Sequence, residues 1–303
     1  MSNKENYQKM NNYIYSDLAC ELSENYDSYT SVGSKSSYES SVICSQDDYK
    51  SIHVSRINVK DEQGQNETNL SIGSYVTISF DDSTKMTQTQ ENELSAIISD
   101  EIIKLMPDNS KKILICGLGN KNMTTDSVGP KTVEKTTITR HIKENFENVY
   151  TETKYISALS PGVLAQTGIE SADIISAISE KIHPDVIITI DSICTKSQNR
   201  LCKTLQITDT GVSPGSGVEN KRPTINSALT KSSVISIGFP TVINSATLIY
   251  EMMNEIQHNT NDSLEEKLKN NVSYYVTINE IDEITEIASR IIANAIDIIS
   301  GVI

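Results

Sequence analysis

The stretch Ile113-Leu-Ile-Cys-Gly-Leu-Gly-Asn120 decides the architecture of this chain. Its short continuous apolar run, closed by a Gly-x-Gly turn, reads as a strand buried on both faces. The same texture returns at Asp185-Val-Ile-Ile-Thr-Ile190, Val234-Ile-Ser-Ile-Gly238 and Tyr274-Tyr-Val-Thr-Ile278. Helical spacing appears around these runs. Ile174, Ile175, Ile178 and Ile182 form one stripe, and Ile284, Ile287, Ile291, Ala295 and Ile298 form another. Strands alternating with helices predict an α/β fold, a three-layer sandwich around a mainly parallel sheet. In such sheets chemistry sits beyond the carboxyl ends of the strands, which points to residues 117–129 and 191–200.

Upstream of this block the texture differs. Ile52–Val59 and Tyr75–Phe80 alternate β-branched and polar residues, as an antiparallel ribbon does, and predict a small N-terminal β-rich extension. The tract Ser23–Lys50 is dominated by Ser, Tyr, Asp and Glu and reads as weakly ordered, because it lacks apolar surface to offset its ordering entropy.

Composition narrows the function classes. The 303 residues carry 40 Asp and Glu against 26 Lys and Arg, a formal net charge of −14, which argues against direct nucleic-acid binding. No run of apolar residues reaches membrane-spanning length, and residues 1–30 hold no apolar signal core, so no membrane association is expected. The five cysteines (Cys20, Cys44, Cys116, Cys194, Cys202) are odd in number and contain no CxxC, which suits a reducing cytoplasm.

Two motifs are decoys. Gly117-Leu-Gly119 lacks the third glycine of a dinucleotide-binding turn, since Asn122 stands there. Gly211-Val-Ser-Pro-Gly215 matches a nucleophile elbow, but the residue after the serine is Pro214, which has no N–H for an oxyanion hole. The histidines (His53, His141, His183, His258) are scattered and form no HxxxH or HExxH, so neither a metal nor another cofactor is expected. His141 reads as a cationic or capping side chain at the C-terminal turn of a helix.

Two aspartates remain. Asp126 follows the first apolar strand, and Asp191 ends the run Val186–Ile190. An Asp at a strand end commonly caps the following helix. Two carboxyls converging in one crevice have a further use: they cannot both ionise near neutrality, so one keeps a proton while the other acts as base. That pair is the minimum apparatus for peptide hydrolysis.

The same residues carry a family resemblance. The run Gly117–Pro130 resembles the first signature of the germination proteases of endospore-forming bacteria. The likeness continues through Thr139-Arg-His141, Pro161–Glu170, Pro184–Asp191, Gln206–Arg222, Ile237–Val242 and Thr277–Asp282. The resemblance implies an atypical aspartic endopeptidase that degrades small acid-soluble spore proteins at germination, with Asp126 and Asp191 as its catalytic pair. It also implies a fold similar to hydrogenase-maturation proteases, a homotetramer, and a place in the forespore and spore core. Gly117, Gly119, Asn120, Lys196, Arg200 and Asp209 are the candidate supporting residues.

The family is made as a zymogen. Tyr15-Ser-Asp-Leu-Ala-Cys-Glu21 looks like its processing region, with cleavage expected between Asp17 and Leu18. The acid–apolar–Ala order there is similar to the family's substrate site, so the chain would present its own N-terminus as substrate. This divides the chain into a propeptide (1–17), an N-terminal β-rich and partly mobile region (18–110) and an α/β catalytic domain (111–303). The sequence departs from the family at Ser192 (usually Ala), Lys196 (Arg), Ser213 (His), Glu219 (Gly) and Asn244 (Asp). Two competing readings use the same fold: a metal-dependent maturation-type peptidase with both aspartates as ligands, and a non-catalytic protein that only binds spore proteins.

Overall fold

The computed structural model describes residues 16–22, 41–146, 152–215, 222–255 and 274–303. Among the described residues there are nine strands: β1 (Val42–Tyr49), β2 (Ile52–Val59), β3 (Gly73–Phe80), β4 (Lys112–Gly117), β5 (Tyr155–Leu159), β6 (Val186–Thr195), β7 (Thr204–Thr208), β8 (Ser233–Asn244) and β9 (Tyr275–Val276). They form one sheet in the order β1-β2-β3-β7-β8-β6-β4-β5, with β9 paired to the end of β8. The strands β5, β4, β6 and β8 run parallel; β7 is antiparallel to β8 and joins them to the antiparallel β1–β3. The ribbon read from the sequence is present, with β2 and β3 paired from Ile52↔Phe80 to Val59↔Gly73. Because β3 pairs with β7, the sheet is continuous across position 110.

The helices are α1 (Ala19–Leu22), α2 (Glu62–Thr68), α3 (Gln88–Leu105), α4 (Val128–Lys135), α5 (Arg140–Asn145), α6 (Leu164–Thr167), α7 (Ser171–Ile182), α8 (Ser227–Thr230), α9 (Ser245–Glu255) and α10 (Ile281–Ser300). Alternation along the strands builds the layers. Ile113 and Ile115 of β4, with Val186, Ile188 and Ile190 of β6, join α3 and α10 in one core, while Leu114, Cys116 and Ile187 join Ala172 and Ile175 of α7 in another. Each fully buried Ile or Leu contributes about 1.5–3 kcal/mol, which makes these two layers the main source of stability. α3 starts on a Thr87/Gln90 capping box, and the guanidinium of Arg290 ties α10 to Glu91 of α3 through bonds of 2.9 and 3.1 Å.

Several expectations need correction. Residues 42–49 of the supposedly weakly ordered tract form β1, which pairs along its whole length with β2; its mostly exposed polar side chains conceal an edge strand from apolar patterning. The tract's residues 23–40 lie outside the described residues. Tyr274–Ile278 is no buried parallel strand: only Tyr275 and Val276 pair, antiparallel to β8, and both are exposed. In α7 the stripe holds at Ile175, whereas Ile178 is 38% exposed. His141 stands exposed in the first turn of α5, not in the C-terminal turn of a helix. β6 runs past Asp191 to Thr195, so Asp191 lies within a strand that outreaches its neighbour β4.

Candidate active site

β4 ends at Gly117, and the chain turns back through Leu118-Gly-Asn120 to a short 3-10 turn at Thr124–Asp126 that leads into α4. Gly119 has φ +108°, and a Cβ there would lie 2.2 Å from the Asp126 carbonyl oxygen and 2.7 Å from its Oδ1. A Cβ on Gly117 would meet the Gly129 carbonyl oxygen at 2.3 Å. The glycine pair therefore has a steric role: it lets the Asp126 turn and the start of α4 press against the strand end. The Asn120 N–H lies 2.9 Å from both the backbone oxygen and Oδ2 of Asp126, and fixes the carboxyl.

Asp191 comes from the neighbouring strand. On β6, Val186, Ile188 and Ile190 face the α3/α10 core, so Ile187, Thr189, Asp191 and Ile193 face the α7 side. That face is apolar where α7 covers it, at Ile187 and Val234, and turns polar toward the carboxyl ends at Thr189, Ser236, Asp191, Gln206 and Thr208. There it opens into a cavity of about 660 Å³ lined by Asp126, Asp191, Ser192, Gln206, Thr208 and Arg222, among others.

The two carboxyls differ in proton affinity. Desolvation pushes Asp126 up to about 6, opposed by the Asn120 N–H and the positive charge of Arg222. Asp191 is only 6% exposed and is raised well above the usual carboxylate range, first by burial, then by the charges of Asp126 and Asp17. The Ser192 N–H, 2.9 Å from Asp191 Oδ1, and Arg222 act against that rise. Both carboxyls thus hold a proton more tightly than an ordinary aspartate, and Asp191 is the more deeply buried of the two. Burial, aided by the charge of Asp17, pushes the Cys194 thiol up to about 12, so it stays protonated and is no nucleophile at neutral pH.

The N-terminal segment docks beside this pair. β6 continues beyond the end of β4, and Asp17 takes up the exposed stretch: its N–H donates to the Cys194 carbonyl at 3.0 Å, and its Oδ2 accepts the Cys194 N–H at 2.8 Å. Leu18, Ala19 and Cys20 are buried in a small cluster with Ile193. Glu21 is buried and anchors the segment: its carboxylate accepts from the Thr195 hydroxyl (2.7 Å), the Lys196 N–H (2.8 Å) and the Ser16 hydroxyl, and pairs with Arg200 at 3.5 Å. Lys196 Nζ donates to the Glu21 carbonyl at 3.0 Å.

Of the candidate residues, Asp126, Asp191, Gly119, Asn120 and Asp17 line the cavity, whereas Lys196 and Arg200 meet on Glu21. Asp209 accepts the Ser74 N–H at 2.7 Å and ties β7 to β3, away from the crevice. Asn244 is fully buried and caps α9, its Oδ1 accepting from Ala246 and Thr247, so it is no edge of the site. Among the described residues, its Nδ2 and the Ser192 hydroxyl, both buried, meet no hydrogen-bond partner. Ser213 lines the cavity, and its hydroxyl bonds to Thr224 at 2.6 Å; Glu219 lies outside the described residues. Among the described residues, no group of three or more His, Cys, Asp or Glu side chains is arranged to hold a metal ion, and no helix is long and apolar enough to cross a membrane. Sequence reasoning missed Gln206 and Arg222. The one available signal was a polar Gln206 between Leu205 and Ile207 on a buried strand.

Fold and crevice together define a class: an α/β protein whose two carboxyls, both raised in proton affinity by burial, face one cavity at the carboxyl ends of parallel strands. The family model described as germination protease matches residues 19–286. A germination protease of Clostridium tetani is 35% identical over 275 residues, covering 82% of this chain and 84% of its own. One from Clostridium acetobutylicum is 31% identical over 315 residues and covers 95% of each chain. Among solved structures, the [NiFe] hydrogenase maturation protease HycI of Thermococcus kodakarensis aligns at 15% identity with a TM-score of 0.33, over 65% of this chain and 98% of its own. The chain belongs to the germination protease family and is a peptidase.

Proposed function

We propose that this chain is an endopeptidase for small acid-soluble spore proteins, with Asp126 as general base and Asp191 as general acid. The observation that carries the reading is the unequal proton affinity of two carboxyls facing one cavity. In this mechanism the Asp126 carboxylate takes a proton from water as its oxygen bonds to the scissile carbonyl carbon. Asp191 then gives its proton to the departing amine as the C–N bond breaks. Each well-placed proton transfer supplies a rate factor of about 10²–10⁴. Arg222 lines the same cavity and offsets the negative charge on the pair.

The chain is made as a zymogen that processes itself between Asp17 and Leu18. Support comes from the docking of Ser16–Glu21 beside the crevice: Ser16 and Asp17 line the cavity, Asp17 bonds to Cys194 close enough for its charge to act on Asp191, and Leu18 and Ala19 are buried next to Ile193. The working form is a homotetramer of the forespore and spore core, by resemblance to the family. The net charge of −14 suits an enzyme that takes proteins from DNA without binding the DNA itself. The test is a pH profile of kcat/KM on a spore protein. Activity rises with pH through an inflection near 6 as Asp126 loses its proton. A flat profile from pH 5 to 8 contradicts the assignment of the base.

A further inference from the structure

Gln206 sits at one register level with Asp191. On β7 it pairs with Gly238 of β8, and Gly238 in turn pairs with Asp191 of β6. Paired residues present their side chains on the same face, so Gln206 and Asp191 flank Gly238, roughly 10 Å apart at two strand spacings. Gly238 contributes no side chain and is covered by that of Ile193, whose Cδ1 lies 2.7 Å from where a Cβ on Gly238 would stand; Asp191, Ile193, Gly238 and Gln206 all line the one cavity.

The N-terminal segment lies against this floor, and its contacts with Gln206 are directional. The carboxamide Nε2 donates to the Asp17 carbonyl oxygen at 3.2 Å, and Oε1 accepts the Ala19 N–H at 2.5 Å. One buried side chain thus brackets the Asp17–Leu18 bond, touching the carbonyl on its amino side and the next amide on the other. Its amide orientation is fixed because each end meets a partner of only one kind.

We propose that Gln206 is a catalytic residue of this peptidase, the electrophile that polarises the scissile carbonyl and holds the charge that develops on its oxygen. The assignment deepens the reading of Asp126 and Asp191 as the hydrolytic pair and of Ser16–Ala19 as a bound substrate. In the addition step water oxygen bonds to the Asp17 carbonyl carbon, its proton passes to Asp126, and the carbonyl π electrons move to oxygen, where the Nε2–H bond strengthens. In the collapse step the C=O re-forms, the bond to the Leu18 nitrogen breaks, and that nitrogen takes the proton of Asp191. A neutral carboxamide suits this position. It donates to the oxyanion without pairing permanently with the aspartates, as a cationic side chain would. Loss of one such preorganised donor lowers kcat by about 10²–10³.

The test uses the full chain and a peptide covering residues 12–24. Gln206→Glu keeps an acceptor for the Ala19 N–H but has no donor when ionised, and Gln206→Met keeps volume without either polar function. Circular dichroism and thermal unfolding establish that each is folded. Intact mass gives the first-order rate of cutting between Asp17 and Leu18, and steady-state kinetics give kcat and KM on the peptide. The expected result is a loss of at least about 100-fold in kcat and in self-processing, with KM for Gln206→Glu within about three-fold of wild type. Either folded variant retaining kcat within three-fold, or a loss confined to KM, overturns the assignment; a latch that merely seats the segment would change KM alone. Asp191→Asn is run in parallel. If it processes at the wild-type rate, the hydrolytic pair itself is wrong, an outcome distinct from failure at Gln206. A wild-type chain that cleaves spore protein but never its own Asp17–Leu18 bond refutes Ser16–Ala19 as a substrate, and the role of Gln206 with it.

Discussion

Replacing Asp126 by Asn should inactivate the protein and stabilise it. The native carboxyl releases its proton at about 6, against 3.8 for an ordinary aspartate, chiefly because it is desolvated. Between those values the native state binds more protons than the unfolded chain, so stability falls as pH rises through that window. Above about pH 6 the full cost is present, and below 3.8 none is. At 1.36 kcal/mol per unit, a rise of about two units corresponds to about 3 kcal/mol, an upper bound for a partly buried group. Asn removes the charge and keeps an oxygen to accept the Asn120 N–H, so the local turn survives. Urea unfolding of both proteins at pH 7 and pH 4 checks this. The variant should be the more stable by up to about 3 kcal/mol at pH 7, with the gap closing toward pH 4. Equal stability at pH 7, or a gap of the same size at both pH values, refutes the electrostatic reasoning.

Two further perturbations probe what holds the site together. Gly119→Ala puts a Cβ 2.2 Å from the Asp126 carbonyl oxygen at φ +108°, which should cost about 1–3 kcal/mol and most of the activity; wild-type cleavage would show that the turn does not position Asp126. Glu21→Ala removes the shared acceptor of Thr195, Lys196 and Ser16, with hydrogen bonds to a charged group contributing about 1.5–3 kcal/mol each. Amide exchange at Asp17 should then accelerate on the order of 100-fold and self-processing should slow, whereas unchanged exchange would mean that Glu21 is no anchor.

The sequence exposes the parts of this fold that physics writes locally. β4, β6 and β8 are buried on both faces, so they appear as continuous apolar runs, and the strand-end rule then finds Asp126 and Asp191. β7 (Thr204–Thr208) stays hidden because its second face is the polar cavity floor, and β1 because its outward side chains are polar. Tyr274–Ile278 misleads in the opposite direction: its β-formers lie at an exposed margin. The alignment of Gln206 with Asp191 through Gly238 arises from strand pairing between distant segments, which no spacing in the chain records. Likewise Lys196 and Arg200, close in sequence to Asp191, turn to Glu21 because β6 carries them past the crevice.

The most direct test of the central claim incubates the purified wild-type chain, Asp126→Asn and Asp191→Asn with a small acid-soluble spore protein in the presence of EDTA. Products are read by gel and intact mass. The account predicts cleavage by the wild type and none by either folded variant. Full activity in either variant, or a wild type that is inactive in EDTA and restored by a divalent metal, would contradict it.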